Sequence, residues 1–252
     1  LAHRGYDMVR ILEQVYLGAD GIYGTPLGVS STFVIIIVVL GALLEKTGAS
    51  GVLMDIAVSM TRNSRGGPAK AAVVGSSLMG MISGTAVANV LTTGTISIPL
   101  MRRGGYRPAV AGAVEAVAST GGQLMPPIMG AAAFLMADIM EIPYLDITKA
   151  ALLPALLFYI AVFASVHLEA VKTGLKPLES IDIPDVAQSL RNSGHVLLSI
   201  PVFIGTLISG YSVMYSSLAG IVCLLALSLL RYSSRLNPRQ LIAAAVSAAE
   251  AI

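Results

Sequence analysis

Apolar residues run together over lengths that can cross a bilayer at Thr25 to Leu44, Ile147 to Leu168 and Val213 to Leu230, each near the roughly 20 residues a spanning helix needs. Between these runs the pattern changes. Residues 1–23 set His3, Arg4, Asp7, Arg10, Glu13 and Asp20 among apolar residues at helical spacing, which predicts a helix lying on the membrane surface. Gly48 to Asn63 is too short and too polar to span. It places Val52, Leu53, Ile56, Ala57 and Met60 on one face and Asp55, Ser59 and Asn63 on the other, and so predicts an interfacial helix. A polar loop over residues 172–194 precedes spans at about 195–209 and 213–230, and the chain closes in the start of an amphipathic helix.

Two segments break the pattern in their middle. Between the basic clusters Arg62, Arg65, Lys70 and Arg102, Arg103, Arg107, an apolar region is interrupted by Ser83-Gly84-Thr85, leaving halves of about 14 residues each. Basic residues collect on the cytoplasmic side of bacterial spans. Both ends therefore predict as cytoplasmic, and the segment as a re-entrant helical hairpin with its tip near mid-membrane. After Pro108 a helix is expected to about Ser119. Thr120-Gly121-Gly122-Gln123-Leu124-Met125-Pro126-Pro127 then interrupts it, because two glycines and two prolines do not sustain a regular helix, and apolar character resumes at Ile128.

Composition fits this picture: 55% of the 252 residues are hydrophobic and 12% charged, against about a quarter charged in soluble domains. The fold class expected is an all-α integral membrane protein, a multi-span transporter half. Residues 1–63 would form a scaffold-type span with interfacial helices, 64–145 a transport-type region, and 146–252 further spans leading toward a second half that this sequence lacks. The topology puts thirteen of the 16 Lys and Arg inside, with Arg4, Arg10 and Lys149 outside. A version in which residues 48–61 span is not separated from it by charge. A net charge of +2 without basic-aromatic interleaving gives no nucleic-acid footprint. The lone Cys223 excludes a disulfide framework and a Cys-based metal site.

The candidate chemistry lies at the two breaks, since irregular backbone at membrane depth belongs where it is buried in protein or lines a wet cavity. The tip from Ser83, Gly84 and Thr85 to Asn89 offers hydroxyls, an amide and close backbone approach. Ser119, Thr120, Gly121 and Gly122 offer the same from the other break, and oxygen donors of this kind suit a hard cation. The bland readings are a Gly-mediated packing contact and a proline kink at Pro126-Pro127. Glu115, inside the apolar run Ala109 to Ala118, is a proton or ion-pair candidate by its depth; the wet alternative, at the cytoplasmic mouth, is the one favoured. His167 and His195 fall at span ends and suggest no metal site, and Met79, Met81, Met125 and Met129 read as packing.

The motif blocks Gly80-Met81-Ile82-Ser83-Gly84-Thr85-Ala86-Val87-Ala88-Asn89, Ile98-Pro99-Leu100-Met101, Gly105-Tyr106-Arg107-Pro108 and Ser119 through Phe134 resemble the large membrane subunit of tripartite ATP-independent periplasmic (TRAP) transporters. The Gly121-Gly122-Gln123 form, with Gly21-Ile22-Tyr23-Gly24 ahead of the first span, resembles the fused permeases that work with TAXI-type binding proteins. The resemblance implies an elevator-type importer of the bacterial or archaeal cytoplasmic membrane. Sodium usually drives such importers, and a periplasmic solute-binding protein delivers an organic acid. A small membrane subunit, or fused N-terminal spans, completes the assembly. It also implies a first cation site on Ser83 and Asn89 with backbone from Gly121, Gly122 and Pro126, and substrate contacts at Ala88, Gln123 and Pro127. No enzyme activity and no cofactor beyond a coupling ion, Na+ or H+, is implied. Glu115 departs from the dicarboxylate branch and leaves open whether protons replace sodium. The alternatives are a channel, a non-transport membrane scaffold, and an intramembrane hydrolase using Ser76, Ser77 or Ser83, which lacks a histidine base in reach.

Overall fold

The computed structural model describes residues 5–18, 21–175, 177, 185–231, 234 and 236–250. Arg4, Lys176 and Arg235 of the charge count, His3 and Asp20 of the first amphipathic stretch, and part of the polar loop fall outside them. The described residues form helices α1 (Met8–Tyr16), α2 (Thr25–Val29), α3 (Ile35–Lys46), α4 (Ala49–Thr61), α5 (Gly67–Ser83), α6 (Ala86–Arg103), α7 (Pro108–Gly121), α8 (Ala131–Ile139), α9 (Tyr144–Lys172), α10 (Val186–Ser193), α11 (Ser199–Ile208), α12 (Val213–Leu229) and α13 (Pro238–Glu250). No strand occurs among them.

By length and composition α9 is long and apolar enough to cross a membrane: it has 29 residues, with Leu153, Leu157 and Ile160 exposed. Helices α3 and α4 meet that test together as a pair bent by 69°. The bend sits at Gly48, whose φ of 86° is the left-handed region that a glycine enters without strain. The expected first span is continuous, α2 passing through a π-helical stretch (Ser30–Val34) into α3. The span expected at 195–209 is shorter than that: a 3-10 turn (Gly194–Leu198) followed by the ten residues of α11.

Helix α4 corrects part of one expectation. Of the face expected inward, Val52, Leu53 and Ala57 are buried and Ile56 is half-buried, but Met60 is 72% exposed, and the buried face turns to include Met54, Val58 and Thr61. The reason is its partner: α4 lies on α5, with Met54, Ala57 and Val58 clustered on Ala71, and that contact sets the buried face.

Helices α5 and α6 form a hairpin whose arms lie side by side, joined at Gly84 and Thr85. The sequence closes each arm locally. Gly84, at φ 64°, caps α5 by donating its N–H to Gly80, and the Thr85 side chain accepts from Ala88 N at 3.3 Å to start α6. Hairpin, α7 and α9 pack through small residues, Ala69, Ala72, Ala111, Ala118 and Ala170, the composition that lets membrane helices approach closely. A second core joins α3, α8, α11, α12 and α13 around Ile37, Leu40, Phe134, Phe203 and Leu224.

Candidate functional site

The second break begins later than the sequence suggests. Helix α7 continues through Gly121, and Gly122–Leu124 adds a 3-10 turn. A connection containing a cis Pro126-Pro127 bond follows, and helix resumes only at Ala131. The loop is closed by Gly130 N–H donating to the Gln123 carbonyl at 2.8 Å. It is pinned from outside by the Tyr144 hydroxyl, which donates toward the carbonyls of Pro127 and Ile128.

This break crosses the hairpin at van der Waals limits. A Cβ on Gly122 would stand 2.7 Å from the Gly80 Cα and 2.9 Å from Asn89 Nδ2, and one on Gly80 would strike Gly122. A Cβ on Gly84 would strike the Met129 carbonyl. Only glycine permits these contacts, so the two interruptions in the helical pattern are one place in space. Asn89 holds them together by donating Nδ2 to the Ser76 carbonyl at 2.9 Å and toward the Ser119 carbonyl at 3.4 Å.

Directly beneath lies Glu115. It is fully buried, so the favoured reading of a wet position at the cytoplasmic mouth is overturned. Thr93 and Ser97 of α6 donate to it at short range. Ser119 donates at 3.0 Å and Ser76 at 3.3 Å. Among the described residues it has no ion-pair partner. Burial of a carboxylate costs several kcal/mol unless it is paired or hydrogen-bonded; here four hydroxyls, drawn from both hairpin arms and α7, meet that demand.

A cavity of about 670 Å3 opens against the tip. Of the predicted residues, Ser83, Gly84, Thr85, Ala88 and Gln123 line it. Asn89, Ser119, Gly121, Gly122, Pro126 and Pro127 are buried and absent from its wall, and Thr120 is exposed with its hydroxyl on the Ala116 carbonyl at 2.7 Å. Sequence reasoning missed Lys46 and Glu45, which line the cavity from α3, Glu45 accepting from Thr92 at 2.9 Å. It also missed Thr93 and Ser97, and Ser76 as a partner of Glu115. Asn89, Thr93 and Ser97 stand at i, i+4 and i+8, a buried polar stripe along α6, and that spacing was the available signal. For a hydrolase, Ser76 is held by Glu115, Ser77 donates to the Val74 carbonyl at 2.7 Å, and Ser83 to the Thr85 carbonyl at 3.4 Å. His195 pairs with Ser234 at 2.9 Å instead.

An all-helical chain in which two discontinuous helices cross beside a cavity, above a buried acid, defines a helical membrane protein of the transporter class. Comparison with known proteins places it more closely. The model of the "Tripartite ATP-independent periplasmic transporter, DctM component" matches residues 2–252, and the chain belongs to that family. It is 28% identical over 170 residues to the C4-dicarboxylate TRAP transporter large permease protein DctM of Pseudomonas aeruginosa, covering 68% of this chain and 39% of that protein. It is 27% identical over 173 residues to the uncharacterised protein YgiK of Salmonella typhimurium, covering 69% and 40%. A third relative, the uncharacterised protein y4mL of Sinorhizobium fredii, is 31% identical over 105 residues, 42% of this chain and 25% of its own length. The chain thus spans about two fifths of the first two relatives. The family is one of transporter components, which points away from an enzyme.

Proposed function

We propose that this chain is part of the membrane subunit of a TRAP-type secondary transporter, importing an organic acid delivered by a periplasmic binding protein of the TAXI type and driven by a cation gradient. The observation that carries the reading is the meeting of the two helix breaks against one cavity. At that point the N-terminus of α6 and the Lys46 side chain face the same space, and both favour an anion. Ser83, Thr85 and Asn89, with the backbone of Gly121, Gly122 and Pro126, supply oxygens for a hard cation such as Na+. In this reading the hairpin, α7 and α8 move as one body against a scaffold in the bacterial or archaeal inner membrane, crossing it several times, with a small membrane subunit or fused N-terminal spans alongside. Ser119 Oγ donates to Glu115 and Thr120 Oγ1 to the Ala116 carbonyl, and neither residue lines the cavity.

Glu115 supports a proton as the alternative coupling ion. Thr93 has one hydroxyl hydrogen and four acceptors near it: Glu115, the Asn89 carbonyl at 2.8 Å, Ser76 Oγ at 3.3 Å and Asn89 Oδ1 at 3.5 Å. With the carboxyl ionised that hydrogen goes to Glu115. With it protonated, the acid donates to Thr93 and Thr93 donates to Asn89. Both states are satisfied by hydroxyl rotation alone.

The test is uptake by the complete transporter in proteoliposomes. Saturable transport that needs both the binding protein and an inward cation gradient supports the reading. Flux without the binding protein makes the protein a channel, and no flux makes it a scaffold. Glu115→Gln separates the ions: a proton-coupled carrier loses its pH dependence, and a sodium-coupled one keeps it.

A further inference from the structure

On the side of the hairpin away from the cavity, α5 and α9 leave an open groove of about 500 Å3. Its walls are almost wholly apolar: Val73 and Val74 on α5, and Leu156, Ile160 and Phe163 on α9. The lining positions of α9 recur from Leu156 to His167, one helix face about 16 Å long at 1.5 Å per residue. That length matches one leaflet of a hydrocarbon core about 30 Å thick.

One side chain contradicts the apolar character. Lys70 is 4% exposed and lines the groove, and its side chain makes no hydrogen bond or ion pair among the described residues. Its ammonium rests 5.1 Å from the centroid of the Phe163 ring. A cation–π contact offsets part of the desolvation of an ammonium and does not neutralise it. His167 stands at the same end of the groove, Ser77 and Leu156 at the other. That basic end is the cytoplasmic one by the charge rule: Lys70 opens α5 close behind Arg62 and Arg65, and α9 closes at Lys172. Lys70 is 13 residues before Ser83, about 20 Å of helix, which sets it at headgroup depth when the tip is at mid-membrane.

We propose that this groove is a site for an anionic phospholipid of the cytoplasmic leaflet, its acyl chain lying between α5 and α9 and its phosphate on Lys70, with His167 at the mouth. Charge complementarity selects the occupant. An apolar slot of one leaflet's length suits a lipid tail, and an ammonium that reaches the groove at headgroup level with no acidic partner among the described residues favours an anion, the pattern of basic pockets between membrane helices. A lipid here would touch both the hairpin and the long span, so its presence would bear on how freely one slides past the other. The inference depends on the membrane orientation and not on the coupling ion or the substrate.

The complete protein is reconstituted in nanodiscs of phosphatidylcholine doped with phosphatidylglycerol, then released, and retained lipid is read by native mass spectrometry. Wild type retains phosphatidylglycerol in preference to phosphatidylcholine. Lys70→Gln lowers that retention at least about fivefold, the factor corresponding to roughly 1 kcal/mol for one cation at the membrane surface, and Lys70→Arg restores it. Ala164→Phe fills the groove from an exposed position of α9 and displaces the lipid with Lys70 intact, so the site is tested even where the Lys70 variants fail to fold. Retention unchanged by Ala164→Phe, or no preference for the anionic lipid in wild type, overturns the proposal.

Discussion

Glu115 is kept in place by four hydroxyls rather than by a cation, and its environment makes a specific demand on substitutions. Glu115→Ala removes the acceptor that Ser76, Thr93, Ser97 and Ser119 share and leaves a void among buried atoms. It is expected to cost about 2–4 kcal/mol, whereas Glu115→Gln, which keeps the volume and one acceptor oxygen, costs less than half of that. Thermal melting in detergent reads the difference, and equal losses would mean that the hydroxyls do not depend on the carboxylate. Gly122 carries the complementary case of too little room. Gly122→Ala brings a methyl to 2.7 Å from the Gly80 Cα and should destabilise by about 1–3 kcal/mol through overpacking. Gly112→Ala on the same α7, with nothing within 4 Å of the added carbon, should be neutral or stabilising. A Gly122→Ala variant as stable as Gly112→Ala would remove the close crossing.

At the scale of elements, the hairpin makes two predictions that need no transport assay. A cysteine at Thr85, in a background without Cys223, should react with a small polar maleimide because that residue lines the cavity. Protection equal to that of Cys at the lipid-facing Ile160 would place the tip away from water. Reporter fusions after Arg65 and after Arg103 should agree in sidedness, and opposite results would turn the α5–α6 pair into an ordinary crossing. Much of this element was legible in the sequence. Ser83-Gly84-Thr85 interrupts two apolar runs flanked by arginines, and the structure bends the chain there. The start of the second break was less legible, because Gly121 and Gly122 continue the helix and its 3-10 extension, and only Met125 onward departs from it. Glycine lowers helix propensity by about 1 kcal/mol, a local preference that the contacts of Gly121 against Phe158 and Gly122 against Gly80 override. On α4 the expected inward face held at Val52, Leu53 and Ala57 and failed at Met60 for a similar reason, since its partner α5 is fixed by tertiary contact and not by the amphipathic pattern of α4 itself. Lys46 gave no signal because its nearness to the tip arises from packing of α3 against α5, many residues away in sequence.

For the whole molecule, the described residues join α5, α6 and α7 into one connected unit: Asn89 bonds to backbone of both α5 and α7, and Glu115 is bonded to by α5, α6 and α7 alike. A unit tied at two levels moves as a body more readily than it deforms, which is what a sliding transport domain needs. In the proposed function, ion binding is coupled to transport where the two breaks cross. Asn89 sits at that crossing, and loss of a partner to a buried ion generally costs a few kcal/mol, with each 1.4 kcal/mol equal to a tenfold change in affinity. The deciding measurement is the ion dependence of uptake by the complete transporter with its binding protein, wild type against Asn89→Ala, in proteoliposomes with sodium and pH varied separately. The account predicts that the concentration of the driving cation for half-maximal uptake rises at least about tenfold, with reconstitution and binding-protein docking near normal. An Asn89→Ala carrier whose half-maximal concentrations of both sodium and protons match wild type would contradict it.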